Sequence, residues 1–380
     1  MSNFECKVIQ IMDIQEHPNA DKLEIIKILD GYQVVSQKGI HLRGDVVVYI
    51  PEAAILPVPI QEELGLVGLL SGPNKDRLKA IKLRGELSQG MLLKVSALDF
   101  NVDLGDDVAE QLGIVKYVPR VPANFSGKWV SCPTEFEPTK YDLENIKKVG
   151  GFFGDGEEVA ITEKLHGTFC QVILLRDQED YEGFLNLGDG YQVGVTSKGV
   201  GAQGFLMDPY DADAEKNIYI KAMKKYFDLP TVNEIFDSVD DMRPTFGSGN
   251  IDCIQVMGEI YGMGIQDLSY GTTEPNFRYF DVRVQNIHGR HYLSHGALKH
   301  FSESLEMVPI VYEGPYHRSL LVQHSHGQSV LNDGQIREGA VVRPIVERQS
   351  HRQGRVIAKS VSEQYLLRKG SKGAKPTEYN

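Results

Sequence analysis

Glu163-Lys164-Leu165-His166-Gly167-Thr168 lies between two β-like runs, Glu157–Thr162 and Thr168–Leu175. Both runs are rich in Val, Ile and Thr or alternate in polarity, which predicts two strands joined by a tight step. A lysine does not enter such a step as core unless its charge is paired or removed. The glycine three residues on lets a bulky phosphate approach the backbone. A lysine amine that attacks a phosphorus atom needs this layout. The competing reading is a solvated lysine in a hairpin turn, and the hexapeptide alone does not separate the two.

The rest of the chain narrows the choice. Its 380 residues suggest two domains or three, and 41% hydrophobic with 24% charged residues is an ordinary globular composition. No apolar run approaches the length of a membrane span, and Met1-Ser2-Asn3-Phe4-Glu5 lacks the features of a signal peptide. Cys6, Cys132, Cys170 and Cys253 are far apart and form no CxxC, so neither a disulfide framework nor a zinc ribbon is expected. A reducing, cytoplasmic setting follows, with no membrane partner and a monomer as the expected state. The net charge of −12 argues against holding duplex DNA by bulk electrostatics, while leaving room for a local basic groove.

Residues 4–119 read as a small all-β domain. Phe4–Ile14, Leu23–Leu29, Tyr32–Val35, Asp45–Ile50, Arg77–Leu83 and Met91–Val95 are strand-like, separated by Asp30-Gly31, Lys38-Gly39, Arg43-Gly44, Arg84-Gly85 and Gln89-Gly90. His17-Pro18-Asn19-Ala20-Asp21-Lys22-Leu23-Glu24 and the following run to Pro51 resemble the tRNA-binding OB-folds attached to some aminoacyl-tRNA synthetases. The resemblance implies a five-stranded barrel and, less directly, contact with RNA; a barrel that only packs on its neighbour is the alternative. The prolines 119, 122, 133 and 138 mark a linker, and Glu144–Val149 is expected as a short helix. From residue 152 onward the pattern is α+β. Strands are expected at Gln192–Ser197, Cys253–Tyr261, Arg278–Val284, Gly339–Arg343 and Arg355–Lys359, and helices at Ala214–Phe227 and around Leu298, Phe301 and Leu305. Gly370–Asn380 reads as a frayed tail.

Two apparent motifs carry little. Gly199-Val200-Gly201-Ala202-Gln203-Gly204 fits GxGxxG, but Asp208-Pro209 interrupts the helix that should follow. The histidines 288, 291, 295, 300, 317, 324 and 326 show no zinc spacing and read as exposed or helix-face residues.

The decisive pattern is an ordered set. Lys164 is followed by Thr196-Ser197-Lys198, then Val256-Met257-Gly258-Glu259-Ile260-Tyr261-Gly262. Next come Arg278-Tyr279-Phe280-Asp281-Val282, Arg337-Glu338-Gly339-Ala340-Val341-Val342, and Val356-Ile357-Ala358-Lys359. In this order the clusters closely resemble the covalent nucleotidyltransferases, the polynucleotide ligases and capping enzymes. Within these the chain is most similar to the ATP-dependent RNA ligases with an N-terminal OB domain. The resemblance spans residues 4–370. It implies an OB-fold domain over 1–120 that binds RNA, a linker and lead-in over 121–150, and an α+β nucleotidyltransferase domain on antiparallel sheets over 151–380.

The resemblance also implies roles. Lys164 is the nucleophile that forms lysyl–AMP, its amine deprotonated through burial and neighbouring cations. Glu163 reads the adenine edge and Phe280 stacks on the base. Gly167 and Lys198 belong to the nucleotide site, with Lys198 where relatives commonly carry Arg. Glu259 contacts the ribose or the metal, Glu338 steers Mg2+ or Mn2+, and Lys359 neutralises the α-phosphate. The cofactors are ATP and that metal. The partner is RNA with 5′-phosphate and 3′-OH ends, in single strands or a nicked duplex. Two departures stand out: His166 replaces the Asp of the DNA-ligase KxDG, and Ile357 replaces the first of two lysines in the last motif, with Arg355 as a candidate substitute. The short stretch after Lys359 holds no C-terminal barrel, unlike DNA ligases and capping enzymes. DNA sealing, guanylyl transfer and a non-catalytic RNA-binding protein are the alternatives.

Overall fold

The computed structural model describes residues 4–28, 32–117, 127–149, 151–243, 249–350 and 354–368. The Asp30-Gly31 turn, the prolines at 119 and 122 and the tail from Gly370 lie outside these residues. The chain forms two compact units, one of Ser2–Pro119 with Glu144–Gly150, the other of Arg120–Leu143 with Gly151–Asn380. The segment expected as a linker is therefore shared between the two. Glu144–Asn145 is extended and Ile146–Lys148 is a 3-10 turn, where a helix was expected. The Asn145 side chain accepts from the Lys147 N–H and fixes that tight turn.

The smaller unit is antiparallel throughout. Strands β1 (Lys7–Gln10), β2 (Asp13–Glu16), β3 (Leu23–Ile28), β4 (Tyr32–Gln37) and β5 (Val46–Ile50) precede a helix, α1 (Val58–Glu63). Then come β6 (Ile81–Leu83), β7 (Glu86–Ser88) and β8 (Met91–Lys94). The sheets run β1-β5-β8 and β2-β3-β4, with β6 and β7 as a hairpin. Alternating Val and Ile in these strands turn one face inward, where Ile26, Ile28, Val34, Val47 and Tyr49 pack together. Arg77, expected in a strand, makes only isolated bridges, to Ile55 and Ser71.

The larger unit is built around two main sheets. The first contains β9 (Glu158–Lys164), β16 (Ile310–Pro315), β17 (Gly339–Pro344) and β18 (Ala358–Val361), in the order β18-β17-β9-β16. The second has the order β11-β12-β10-β13-β14-β15. Its strands are β10 (Gly167–Arg176), β11 (Leu185–Gly188), β12 (Tyr191–Ser197), β13 (Cys253–Gly262), β14 (Pro275–Asn286) and β15 (Gly289–Tyr292). Helices α2 (Ile218–Tyr226) and α3 (Leu229–Asp241) pack against it. Helix α3 begins at Asp228, whose carboxylate accepts from the Thr231 N–H, and it buries Val232, Ile235, Phe236 and Val239. That spacing is one helical stripe, and burying each such side chain contributes about 1.5–3 kcal/mol.

The expected helix at 214–227 is a 3-10 turn followed by α2, because the Asn217 side chain accepts from the Tyr219 and Ile220 N–H groups and restarts the helix. The helix near Leu298 is α4 (His295–Lys299), and Phe301 and Leu305 are buried outside it. The glycines 199–204 give one turn (Lys198–Gly201), with Gly201 pressed within 2.8 Å of Thr196 by where a Cβ would stand. Of the clustered histidines, His295 is buried rather than exposed and lies 2.7 Å from the Glu313 carboxylate. Among the described residues no helix is long and apolar enough to cross a membrane.

Candidate active site

Lys164 ends β9 and Gly167 opens β10, so the hexapeptide is the step from one sheet to the other. The two sheets converge there on an open pocket. Lys164, Lys198, Glu259, Phe280 and Lys359 line it together. These positions span 164 to 359 in the sequence, and strand pairing gathers them: Lys164 lies opposite Gly339, and Lys359 opposite Val341.

Glu338 lies beneath the lysine. Its Oε1 accepts from Lys164 Nζ at 2.7 Å, with the carboxylate almost fully buried. Cations were expected beside the amine, but the group against it is an anion; Lys198 and Lys359 stand elsewhere on the pocket wall. Burial opposes ionisation of Glu338, but Lys164 and His166 outweigh it and hold the carboxyl below the ordinary range. Glu259 behaves oppositely. Burial pushes its carboxyl up to about 8, reinforced by the nearby Glu338 and only partly offset by Lys164 and Lys198.

Three expected residues are placed differently from their implied roles. Glu163 also lines the pocket, but its side chain alternates with that of Lys164 along β9; its carboxylate accepts from the Val330 N–H at 2.8 Å and lies 3.7 Å from Arg337. Gly167 is a packing glycine: a Cβ there would collide with the Ile260 carbonyl and stand 2.8 Å from Glu259 Cγ. The close approach it permits is that of β13. Arg355, the candidate substitute for the missing lysine, is held by two carboxylates, the buried Asp281 and the half-buried Glu347. It stacks over Tyr292 at 3.6 Å and is absent from the pocket wall.

The structure also adds residues. Tyr141 lines the pocket with Phe280 and Phe169, its ring centroid 5.3 Å from that of Phe280. Its hydroxyl donates to Asp281 at 2.6 Å, and Asp281 is fully buried between Arg343 and Arg355. Burial disfavours the Asp281 anion, but those arginines outweigh it and keep it ionised. Tyr141 lies in a proline-rich stretch with no periodic signal, so nothing local marked it.

His166 is the hub of a second network. Its Nε2 lies 2.7 Å from Asp267 Oδ1, its Nδ1 2.9 Å from the Tyr365 hydroxyl and 3.6 Å from Glu338 Oε2. Arg368 grips both oxygens of Asp267 at 2.8 Å. The Tyr270 hydroxyl accepts from the His166 N–H, and Tyr270 holds a left-handed backbone, φ +53°, unusual for a bulky residue. These contacts run in a chain from Arg368 through Asp267 and His166 to Glu338 and Lys164. Tyr365 and Arg368 belong to or follow α5 (Glu363–Leu367), just beyond the last cluster noticed in the sequence.

The family comparison agrees with this geometry. The RNA ligase family model matches residues 157–361, and an OB-fold domain model matches residues 6–95. The chain belongs to the RNA ligase family, with an OB-fold domain at its N-terminal end. No curated protein matches it by sequence. Among solved structures it is similar to the RNA ligase of Naegleria gruberi. An apo mutant is 21% identical, covering 94% of this chain and 96% of that one, with a TM-score of 0.70. A mutant with ATP and Mn is 21% identical, covers 94% and 97%, and has a TM-score of 0.68. The same ligase with PPi is 21% identical, covers 96% and 98%, and has a TM-score of 0.67. At that identity the likeness establishes a shared fold.

Proposed function

We propose that this RNA ligase uses ATP to join a 3′-OH to a 5′-phosphate through lysyl–AMP and RNA-adenylate intermediates. The observation that carries the reading is Lys164 on the wall of an open pocket beside Lys198, Phe280 and Lys359, its amine 2.7 Å from Glu338. Solved relatives of the same fold carry ATP and Mn, which supports ATP and Mg2+ or Mn2+ as cofactors here.

In the first step Lys164 Nζ gives up a proton, for which Glu338 Oε1 is the placed acceptor, and attacks the α-phosphorus. An N–P bond forms, the α–β phosphoanhydride breaks, and pyrophosphate leaves in line. In the second step an RNA 5′-phosphate oxygen displaces Lys164 from the adenylyl phosphorus. In the third the 3′-OH attacks the activated 5′-phosphorus and AMP departs. Phe280 and Tyr141 offer aromatic faces to the base. Lys359 and Lys198 offset phosphate charge. Glu163 offers the base only its backbone side.

The site suits a divalent cation. Glu338 Oε2 is buried without a hydrogen-bond partner, and Glu259 is a second buried carboxyl on the same pocket. Among the described residues no group of three His, Cys, Asp or Glu side chains could hold a metal alone, so a cation held by Glu338 and Glu259 would also need oxygens of the triphosphate or water. When bound, the cation offsets triphosphate charge where the lysine attacks. We assign RNA binding to residues 1–120 and nucleotide chemistry to residues 151–380.

Incubation with α-labelled ATP and Mg2+ or Mn2+, then denaturing electrophoresis, tests the reading. Label should remain on the wild-type chain and vanish in Lys164→Ala. Equal labelling of the two proteins would overturn it, and stronger labelling by GTP would move the chain to guanylyl transfer.

A further inference from the structure

The smaller unit carries a feature that nucleotide chemistry does not use. Residues 75–84, Lys75-Asp76-Arg77-Leu78-Lys79-Ala80-Ile81-Lys82-Leu83-Arg84, hold five cations and one anion in a chain of net charge −12. Arg77 is spent on structure, buried over the Tyr117 ring at 3.6 Å. Lys75, Lys82 and Arg84 are exposed. No ion pair forms at any of these three among the described residues.

Arg84 and Gly85 are the two-residue turn between β6 and β7, since Leu83 pairs with Glu86. Both have positive φ, +47° at Arg84 and +108° at Gly85. A turn of that geometry favours Asn-Gly or Asp-Gly, because an ordinary side chain is strained there. Lys75 repeats the oddity at φ +56°. Two exposed cations thus occupy left-handed positions that Gly or Asn would fill at lower cost. Strain held at an exposed position points to use of the side chain.

The hairpin is also rigidly mounted. The Asn19 N–H donates to His17 Nδ1, which leaves Nε2–H to donate to the Leu83 carbonyl at 3.1 Å. Gly85 sits so near Asn19 that a Cβ would stand 3.0 Å from its Nδ2. Gln33 donates to the Leu87 carbonyl at 2.8 Å, and Ser88 Oγ accepts from the Val35 N–H at 3.0 Å. Cations presented on a fixed support lose little entropy on meeting a polyanion.

We propose that the β6–β7 hairpin is an RNA-backbone docking finger, with Lys82, Arg84 and Lys75 contacting phosphates of the strand to be sealed. The choice of RNA rests on the ligase reading; the finger itself rests on charge, exposure and strain. The contact is to the backbone, so it carries no base preference.

The test uses the full chain and a labelled, nicked RNA duplex, with affinity measured across a salt series. Arg84→Gly relieves the left-handed strain, so its Tm should equal or exceed that of the wild type while its RNA affinity falls. Arg84→Lys keeps the charge and should bind close to wild type. The triple variant Lys75→Gly, Lys82→Ala, Arg84→Gly should lower the slope of log affinity against log salt by about 2–3, from ~0.7–0.9 per phosphate contact. Unchanged affinity and slope in the triple variant would overturn the proposal, as would equal losses in Arg84→Lys and Arg84→Gly. Lysine labelling by ATP is read separately in the wild type. Its absence would count against the ligase reading and leave the binding result standing.

Discussion

At the residue scale, the unusual histidine of the lysine turn gains a reason. A shorter Asp at position 166 could not span from Asp267 to Glu338; the imidazole does, with a nitrogen toward each. Tyr365→Phe removes the hydroxyl on Nδ1 and should slow lysine adenylylation about tenfold at saturating ATP with KM unchanged, which a rapid-quench assay resolves. Glu338→Gln should cut the same step by a hundredfold or more, the size of losing a buried charge stabiliser; near-normal rates would remove Glu338 from the chemistry. Glu259 yields a pH prediction. Burial holds its carboxyl protonated up to about 8 in the native state, against an ordinary value of 4.5. Between those values the folded chain binds the extra proton, so this group costs stability progressively as pH rises and the cost is complete above about 8. Glu259→Gln should therefore raise Tm by several degrees at pH 9 and hardly change it at pH 4.5, given ~2–4 °C per kcal/mol for a unit of this size. A Tm gain that shrinks from acid to alkaline pH would show that Glu259 is ionised in the fold.

At the element scale, β9, the turn and β10 act as one piece because β13 presses on Gly167. Gly167→Ala should push β13 away and displace Glu259, lowering both Tm and lysine labelling; a variant that keeps both would place the strands farther apart. Asp281→Asn should cost about 3–5 kcal/mol, since it strands Arg343 and Arg355 in the interior, and chemical denaturation measures that directly. The strands themselves were legible in sequence, because Val, Ile and Thr runs ended at Gly and Asp turns. So was the gathering of Lys164, Lys198, Glu259, Phe280 and Lys359, which rested on their order. The direction of the Glu163 side chain needed only simple alternation: neighbours on a strand face opposite ways, so its carboxylate turns to Val330 and Arg337 rather than to the Lys164 amine. Other partners were hidden for a different reason. Asp267 meets His166 across 101 residues and Tyr365 meets it across 199. Pairings of that span leave no local period. The Arg355 contacts were equally invisible, since a cation near phosphates and a cation locked to Asp281 look alike as letters.

At the scale of the whole molecule, the family match ends at residue 361, while the network under the lysine reaches Arg368. A chain cut after residue 361 should label far more weakly than one cut after residue 368, and equal labelling would make α5 dispensable. The distances along the chain also bear on synthesis. Lys164 is separated from Glu338 by 174 residues. At ~5–20 residues per second, the lysine would leave the ribosome on the order of ten to thirty seconds before the carboxylate beneath it. Throughout that interval the residues of the OB unit are already made, but the lysine has neither the strands that pair with its own nor a floor under its amine. A nascent ligase, even one tethered beside the messenger it is reading, is thus chemically silent until its own translation has passed the site's last strand.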